Sequence, residues 1–139
     1  MQANTESHSL AGCVLLDKSR RVLLLHRAVE PTQWELPGGK VRPPETPADA
    51  ARRELSEELG IDVQLTTELG RTAFEQKGRR WEYILFLCLS WSGKPQIREP
   101  GLFDDLQDFD VEQLREPRKD FSPNLQAFGA MLSARRVAL

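Results

Sequence analysis

The stretch GKVRPPETPADAARRELSEELGI, residues 39–61, decides how this chain is organised. It predicts a turn that leads into one α-helix over residues 47–59. Thr46 can cap the helix with its side-chain oxygen, and Pro47 suits the first helical turn, where no backbone donor is needed. No helix breaker follows until Gly60, and glycine is the usual residue at a left-handed helix end.

Acidic residues gather on one face of this predicted helix. Glu54, Glu57 and Glu58 are spaced i, i+3 and i+4, so their side chains converge, and Arg53 lies one turn before Glu57. A second, buried face is predicted from three apolar residues: Ala51, Leu55 and Leu59. A solvated surface is the ordinary interpretation of an acidic face, but such a face normally includes lysine, and this helix has none. The cluster therefore indicates a cation, and hard divalent ions such as Mg²⁺ take oxygen ligands.

The same residues resemble a complete Nudix box. Gly39, Glu45 and the run RELSEELGI at residues 53–61 match the fixed and apolar positions of that box at its spacing. The resemblance implies an α/β fold of the Nudix type, an α/β/α sandwich with a mixed β-sheet between helices. It also implies a single Nudix hydrolase domain over residues 1–139, in which residues 1–8 form a loose tail.

The activity implied by the resemblance is metal-assisted hydrolysis of a nucleoside diphosphate linked to another group. Mg²⁺ is the expected cofactor, with Mn²⁺ as a substitute. The implied metal ligands are four carboxylates and one backbone carbonyl: Glu54, Glu57, Glu58, Glu99 and Gly38. Glu99 is placed by aligning the segment after residue 91 with the family pattern, and Asp104 and Asp105 are its competitors for the outer ligand.

Catalytic roles also follow from the resemblance. We expect Glu54 to take the proton from the attacking water, oriented by Arg53, with Glu45 in a structural role. The family gives the base to different residues, either the first glutamate of this group or a loop glutamate, so both assignments stay open here.

The candidate substrate-binding residues lie outside the acidic cluster: Arg27, Leu36, Gly39, Lys40 and Asn124. Arg27 ends a predicted strand, and it is either an exposed charge or a phosphate contact. The glycine turn lets the backbone approach a ligand closely. Asn124 follows a Phe-Ser-Pro stretch similar to one that precedes a purine-binding asparagine in the dGTP-sanitising branch of the family. A solvated asparagine in the first helical turn is the alternative.

Composition sets limits on partners and location. The 139 residues carry a formal net charge of −2 with a pI near 5.7, which argues against a nucleic-acid-binding surface. No apolar stretch approaches the roughly 20 residues of a membrane span, and the N-terminus is unlike a signal peptide. We therefore expect a cytoplasmic protein, monomeric or homodimeric, that binds a small nucleotide and neither nucleic acid nor membrane. Cys13 and Cys88 lie in apolar runs and are expected to be buried and unbridged.

The strands on either side of this helix are predicted from the pattern of apolar residues. Residues 10–16 and 22–26 predict neighbouring strands, the first one central, and His26 shows no partner in the sequence. Residues 63–77 predict a strand or hairpin, residues 78–80 a turn, and residues 81–91 a strand buried on both faces.

The C-terminal third is predicted as an irregular segment followed by a helix. Residues 93–120 are acidic and predicted to be irregular, whereas Ser122 and Pro123 predict the start of a second helix.

Substrate choice is predicted by exclusion among family subgroups. The downstream proline of ADP-ribose hydrolases is absent, since residues 75–77 are EQK. A MutT-like nucleoside triphosphate pyrophosphohydrolase remains, including one that removes oxidised or noncanonical nucleotides. An ADP-ribose or dinucleotide pyrophosphatase is the alternative. A non-catalytic Nudix ligand sensor or interaction module is the alternative of another class, but such domains usually lose carboxylates of the box, and none is lost here.

Overall fold

The structure, a computed structural model, describes residues 8–137 and residue 139; the predicted loose tail falls outside this range except for His8. Within these described residues, seven strands, two α-helices and one 3₁₀ helix follow each other. Their order is β1 (Ser9–Leu15), β2 (Arg21–Arg27), β3 (Trp34–Glu35), β4 (Gly38–Lys40), α1 (Pro47–Leu59), β5 (Asp62–Gln76), β6 (Arg79–Ser92), β7 (Phe103–Asp110), the 3₁₀ helix Val111–Arg115, and α2 (Pro123–Ser133).

The strands form two sheets. The larger has the order β4-β1-β6-β5, in which β1 runs parallel to β6 and the other pairs are antiparallel. The smaller has the order β3-β2-β7 and is antiparallel. This arrangement confirms the predicted α/β/α sandwich with a mixed sheet between helices.

The alternation of side chains along β1 explains why one helix packs on each face of the larger sheet. Cys13 and Leu15 belong to the core cluster that contains the buried side of α1, whereas Val14 belongs to the cluster that contains the buried side of α2. Successive side chains of a strand point to opposite faces, so a central apolar strand supplies both cores. The prediction of a central first strand is confirmed.

The predicted limits of α1 are also confirmed. The Oγ1 atom of Thr46 accepts a hydrogen bond from the backbone N–H of Asp49 at 3.1 Å. Gly60 ends the helix at φ 68°, and its N–H donates to the carbonyl oxygen of Ser56 at 3.0 Å. The three apolar residues assigned to its buried face are all 0% exposed: Ala51, Leu55 and Leu59.

The prediction that the first two strands are neighbours in one sheet is wrong. A turn does join them, with the N–H of Asp17 donating to the carbonyl of Arg21, but their only pairing is an isolated bridge between Leu16 and Val22 in the described residues. Both edges of β1 are occupied by β4 and β6, so β2 diverges into the smaller sheet.

The prediction of an irregular segment over residues 93–120 is wrong where β7 forms. This strand reads FDDLQDFD, and only its two phenylalanines, Phe103 and Phe109, are buried. Three of its four acidic residues are exposed at the edge of a sheet, where charges discourage pairing with other chains. Such a strand does not show the apolar content by which strands are recognised in a sequence.

Other elements agree closely with the sequence. Residues from Tyr83 to Cys88 of β6 are consecutively buried, and α2 is capped by the Oγ of Ser122, which accepts from the N–H of Leu125 at 3.2 Å. The turn before β6 is Lys77 and Gly78 rather than residues 78–80. Cys13 and Cys88 are buried and unbridged, as expected. None of the helices in the described ranges is both long and apolar enough to cross a lipid bilayer.

A test of the core concerns Gly12 and Tyr83. A Cβ at residue 12 would lie 2.1 Å from the Tyr83 hydroxyl oxygen, which is buried without a hydrogen-bond partner in the described part of the chain. We expect Gly12→Ala to lower the free energy of unfolding by about 1–3 kcal/mol, because the core has no room for the methyl group. Tyr83→Phe should cost little, since it removes an unsatisfied hydroxyl, and should recover part of the Gly12→Ala loss.

Urea unfolding of both single variants and the double variant measures this coupling. A Tyr83→Phe loss above about 1 kcal/mol would mean that the hydroxyl makes a hydrogen bond that stabilises the fold.

Candidate active site

Arg53 lies at the centre of the acidic cluster. Its Nε and Nη2 atoms donate to the two carboxylate oxygens of Glu45 at 2.6 and 3.0 Å. Its Nη1 donates to Glu54 at 3.0 Å and to Glu57 at 2.9 Å, and its Nη2 also donates to the carbonyl oxygen of Lys40 at 3.0 Å. One guanidinium therefore connects the loop before α1, the acidic face of α1 and β4.

Glu45 holds this guanidinium in place. The hydrogen bonds from Arg53 are the main reason that the pKa of Glu45 falls to about 2, and the N–H of Arg42 also donates to it at 2.9 Å. A paired, planar contact of this kind fixes orientation as well as charge. Glu45 thus positions Arg53, which agrees with the structural role expected from the sequence.

Glu58 is a buried carboxylate, with only 6% of the residue exposed. Its Oε1 accepts a hydrogen bond from the N–H of Gly38 at 3.0 Å. Burial first, and then the nearby charges of Glu54, Glu35 and Glu99, raise its pKa well above the usual range. Three carboxylates from α1, β3 and the loop before β7 are therefore close enough to act on Glu58.

Glu54 approaches the glycine turn. A Cβ at Gly39 would lie 2.5 Å from the Glu54 carboxyl carbon, so only glycine leaves room for this carboxylate. Burial raises the pKa of Glu54, and the hydrogen bond from Arg53 opposes that effect. A carboxylate with a raised pKa next to a fixed arginine has the properties of a general base.

The side chains present fit a hard divalent cation by their chemistry. All the candidate donors are carboxylate or carbonyl oxygens, and a cation would offset the mutual repulsion that burial intensifies at Glu58. Among residues 8–137 and 139, however, no three His, Cys, Asp or Glu side chains are already grouped as a coordination site. Arg53 holds Glu54 and Glu57, so these side chains would have to turn towards a cation.

The loop that contains Glu99 packs beside α1. The N–H of Arg98 donates to the carbonyl of Glu58 at 3.0 Å, and the carbonyl of Glu99 accepts from the N–H groups of Leu102 and Phe103. This backbone contact holds the loop near Glu58, and the charge of Glu99 contributes to the raised pKa of Glu58. Its role as a metal ligand stays a prediction.

The two competitors of Glu99 are engaged elsewhere. Asp104 lies 2.7 Å from the Nδ1 of His26, and Asp105 accepts from the N–H of Leu106 at 2.8 Å. His26, interpreted as a structural histidine because the sequence shows no partner for it, therefore has a partner in Asp104. The sequence could not show this pair because its members are 78 residues apart on neighbouring strands, β2 and β7.

A cleft of about 270 Å³ lies beside the cluster. Its lining includes residues from β2, the loop after β2, β3, β5 and the start of α2: Arg27, Gln33, Glu35, Phe74, Gln76 and Asn124. The structure thus brings together Arg27 and Asn124, two of the predicted substrate-binding residues, although they are far apart in sequence.

Leu36, Lys40 and Gly39 occupy other positions. Leu36 is 3% exposed and packs in the core cluster on the α2 side of the larger sheet. Lys40 is exposed, with its Nζ 5.6 Å from the centroid of the Trp81 ring. Gly39 lies against Glu54 in the acidic cluster. Their roles towards substrate stay predictions.

Glu35 is a site residue that the sequence analysis missed. It lines the cleft, burial raises its pKa, and its charge in turn raises the pKa of Glu58. Gln33 donates to its carboxylate at 3.4 Å, and the charge of Arg27 partly offsets the effect of burial. The signal available in the sequence was an acidic residue between two bulky apolar residues, Trp34 and Leu36.

The family model described as NUDIX domain matches residues 6–128. The chain belongs to the Nudix family. As a Nudix protein it is a hydrolase that acts on pyrophosphate bonds, which confirms the enzyme class predicted from the box.

Two relatives and two solved structures illustrate the similarity. The chain is 36% identical over 97 residues to an 8-oxo-dGTP diphosphatase of Proteus vulgaris, covering 68% of this chain and 86% of the relative. It is 46% identical over 66 residues to an 8-oxo-dGTP diphosphatase of Haemophilus influenzae, covering 47% of this chain and 48% of the relative.

A MutT Nudix hydrolase from Burkholderia pseudomallei superposes with a TM-score of 0.78 at 27% identity, covering 90% of this chain and 97% of that one. The E. coli ORF135 protein superposes with a TM-score of 0.70 at 26% identity, covering 96% and 98%.

Two neighbouring arginines of α1, Arg52 and Arg53, allow a matched test of the role of Arg53 in the acidic cluster. Arg53 contacts three carboxylates, whereas its neighbour Arg52 is exposed and makes one 3.8 Å ion pair with Asp49. We expect Arg53→Gln to lower kcat by about 10- to 100-fold, because groups that orient ligands typically contribute that much. Arg52→Gln should stay within about twofold of wild type, since exposed ion pairs contribute little.

Steady-state kinetics on a common nucleotide substrate, with circular dichroism as a check of folding, measures both variants. Equal losses in the two variants would contradict a specific role for Arg53.

Proposed function

We propose that this Nudix protein is a Mg²⁺-dependent nucleoside triphosphate pyrophosphohydrolase of the MutT type, acting on oxidised or noncanonical nucleotides. The observation that supports this most is Glu35, because it lines the cleft and also acts electrostatically on Glu58 in the acidic cluster. A nucleoside bound in the cleft would therefore have its phosphates beside the carboxylates. The names of the Proteus and Haemophilus relatives, both 8-oxo-dGTP diphosphatases, support the same substrate class.

A divalent cation, when bound, supplies positive charge that neutralises the phosphates and the charge developing as the bond breaks. The residues that would hold it are the predicted ligands: Glu54, Glu57, Glu58, Glu99 and the carbonyl of Gly38. The chain offers these oxygens from α1, β4 and the loop before β7.

The chain's own residues have separate tasks in this proposal. Glu54 accepts the proton of the attacking water, and Arg53 keeps its carboxylate oriented through the 3.0 Å hydrogen bond. Glu45 keeps Arg53 in place through its paired contact. Arg27, in the wall of the cleft, contributes a positive charge that attracts the phosphates as they enter.

The cleft also contains groups suited to a base. Phe74 provides an apolar wall, and Asn124 and Glu35 provide polar groups that hydrogen-bond a base edge. Ser122 donates a hydrogen bond to the Oδ1 of Asn124, which orients the amide so that its NH₂ group is left for a ligand. Glu35 contributes carboxylate oxygens, which accept from N–H groups of a base.

Other functions remain alternatives to this proposal. Part of the chain is 40% identical over 76 residues to a diphosphoinositol polyphosphate phosphohydrolase of Rattus norvegicus, covering 52% of this chain and 41% of that relative. An ADP-ribose or dinucleotide pyrophosphatase would use the same cluster with another group in the cleft. A non-catalytic sensor is disfavoured because every box carboxylate is present. The domain limits, the cytoplasmic location and the oligomeric state stay predictions.

The direct test is hydrolysis of a nucleotide panel that includes 8-oxo-dGTP, dGTP, dCTP, ATP and ADP-ribose, with Mg²⁺ and with excess chelator. We expect pyrophosphate release from a triphosphate only with the metal. Glu57→Gln should lower kcat by at least about 100-fold, because it removes a charge at which the transition state is stabilised. Glu112→Gln, which alters an exposed glutamate of the 3₁₀ helix, is the matched control. Full activity in chelator, or preference for ADP-ribose, would overturn the proposal.

A second test addresses base selection. Losing a single hydrogen bond from the Asn124 amide should cost about 0.5–1.5 kcal/mol of discrimination between bases. We expect Asn124→Ala to reduce the ratio of kcat/KM for a purine to that for a pyrimidine triphosphate while metal dependence is unchanged. Gln64→Ala, an exposed amide on β5, serves as the control. An unaltered ratio would make Asn124 only a part of the helix start.

A further inference from the structure

The segment 93–99, which we call the Glu99 loop, lies against the C-terminal end of α1. The last carbonyl groups of a helix have no partner within the helix and must be satisfied from outside it. Here the N–H of Gln96 donates to the carbonyl of Leu59 at 3.1 Å, and the N–H of Arg98 donates to the carbonyl of Glu58 at 3.0 Å. The backbone of the loop therefore completes the hydrogen bonding of the helix end.

The side chain of Ile97 anchors this loop to the core. Along residues 94–99, exposed side chains alternate with partly buried ones, and the partly buried residues are Pro95, Ile97 and Glu99. Ile97 packs against the core cluster that contains the buried side of α1. It stands between the two residues whose N–H groups bond the helix end, so the packing of Ile97 and these hydrogen bonds support each other.

The direction of the loop carries it towards the acidic cluster. Between Gln96 and Arg98 its contacts move back along α1, from the last residue of the helix to Glu58. Glu99 is the next residue of the loop, and its charge contributes to the raised pKa of Glu58. The two hydrogen bonds to the helix end thus lead directly to the point where the loop presents a carboxylate.

The position of the Glu99 carboxylate depends on the backbone on either side of it. Among the residues that the structure describes, no hydrogen bond or ion pair holds this carboxylate. After it, the carbonyl of Glu99 accepts from the N–H groups of Leu102 and Phe103 at 2.9 and 3.0 Å, and Phe103 is buried in the same core cluster as α1. Before it, the anchor is Ile97.

We propose that Ile97 is a positioning residue for the acidic cluster, because its packing holds the Glu99 loop on α1 and so keeps the Glu99 carboxylate beside Glu58. The inference rests on the proposed function, in which Glu99 supplies an oxygen to the divalent cation. It adds a residue that contacts neither the cation nor the phosphates. The affinity for the cation then depends on an apolar side chain at the edge of the core.

Ile97 and Leu65 provide a matched pair for the test. Leu65, on β5, is also partly buried against the α1-side cluster, and a change to alanine removes the same number of carbon atoms from either side chain. We expect Ile97→Ala to weaken Mn²⁺ binding by about tenfold, as loss of a group that orients a ligand would. Leu65→Ala should change the Mn²⁺ Kd by less than about twofold, because it is independent of the loop. Equal weakening in both variants would mean a general loosening of the core and would overturn the proposal.

A double-variant cycle shows whether Ile97 acts through Glu99. The Mn²⁺ Kd is measured by the paramagnetic signal of the ion for Ile97→Ala, Glu99→Gln and the double variant, with circular dichroism as a check of folding. In the Glu99→Gln background, Ile97→Ala should change the Kd by less than about twofold, because the carboxylate that it positions is no longer there. Additive losses, or no loss from Glu99→Gln alone, would contradict the role of Ile97.

Amide hydrogen exchange of the unaltered chain gives a test that does not depend on the folding of a variant. Coupling between two sites is reciprocal, so a cation that needs the docked loop must also stabilise its docking. We expect saturating Mg²⁺ to slow exchange of the Gln96 and Arg98 amides by about fivefold or more. The Asp17 amide, which donates to the carbonyl of Arg21 in a separate turn, is the reference and should not change. Equal exchange of the loop amides with and without Mg²⁺ would overturn the proposal.

These measurements use no substrate, so they separate the role of Ile97 from the proposed function. If no nucleotide is hydrolysed but the cycle and the exchange rates are as expected, the proposed function fails and the role of Ile97 stands. If a triphosphate is hydrolysed with Mg²⁺ but the losses in Mn²⁺ affinity are additive, the role of Ile97 fails and the proposed function stands.

Discussion

The contact between Arg53 and Glu45 is the constraint on which the site depends. Acidic side chains on one helix face repel one another, and burial of Glu58 strengthens that repulsion. The guanidinium offsets it by binding Glu54 and Glu57 while Glu45 holds it from the preceding loop. The same guanidinium reaches the carbonyl of Lys40, so α1 is fixed against the glycine turn. The guanidinium thus keeps the carboxylates of Glu45, Glu54 and Glu57 together beside the glycine turn.

Local chemistry explains which parts of the fold could be predicted from the sequence. The limits of α1 depend on Thr46 and Gly60, which act within one helical turn, and the sequence shows both. Contacts between distant segments were not visible. The pairing of His26 with Asp104, the separation of β1 and β2 into two sheets, and the formation of β7 all depend on which strands become neighbours. Glu35 was missed for the same reason, since its importance comes from the cleft around it.

Glu35 connects the two functional regions of the molecule. The cleft that it lines lies where β5 and the start of α2 meet the loop after β2. The acidic cluster lies beside the glycine turn at β4, and the charge of Glu35 acts on Glu58 within it. Under the proposed function, a nucleotide bound here would meet a polar cleft at its base and the carboxylates and Arg53 at its reactive phosphates.

The central claim is that the α1 carboxylates form one divalent-cation site organised around Glu58. Equilibrium binding of Mn²⁺ to the full chain, followed by its paramagnetic signal, tests that claim without any substrate. The account predicts that Glu58→Gln and Glu57→Gln each weaken Mn²⁺ binding by at least about tenfold, since ligands and the groups that support them contribute on that scale. Asp105→Asn, at a carboxylate engaged within β7, should leave the affinity unchanged. Wild-type affinity in both glutamate variants would contradict the account.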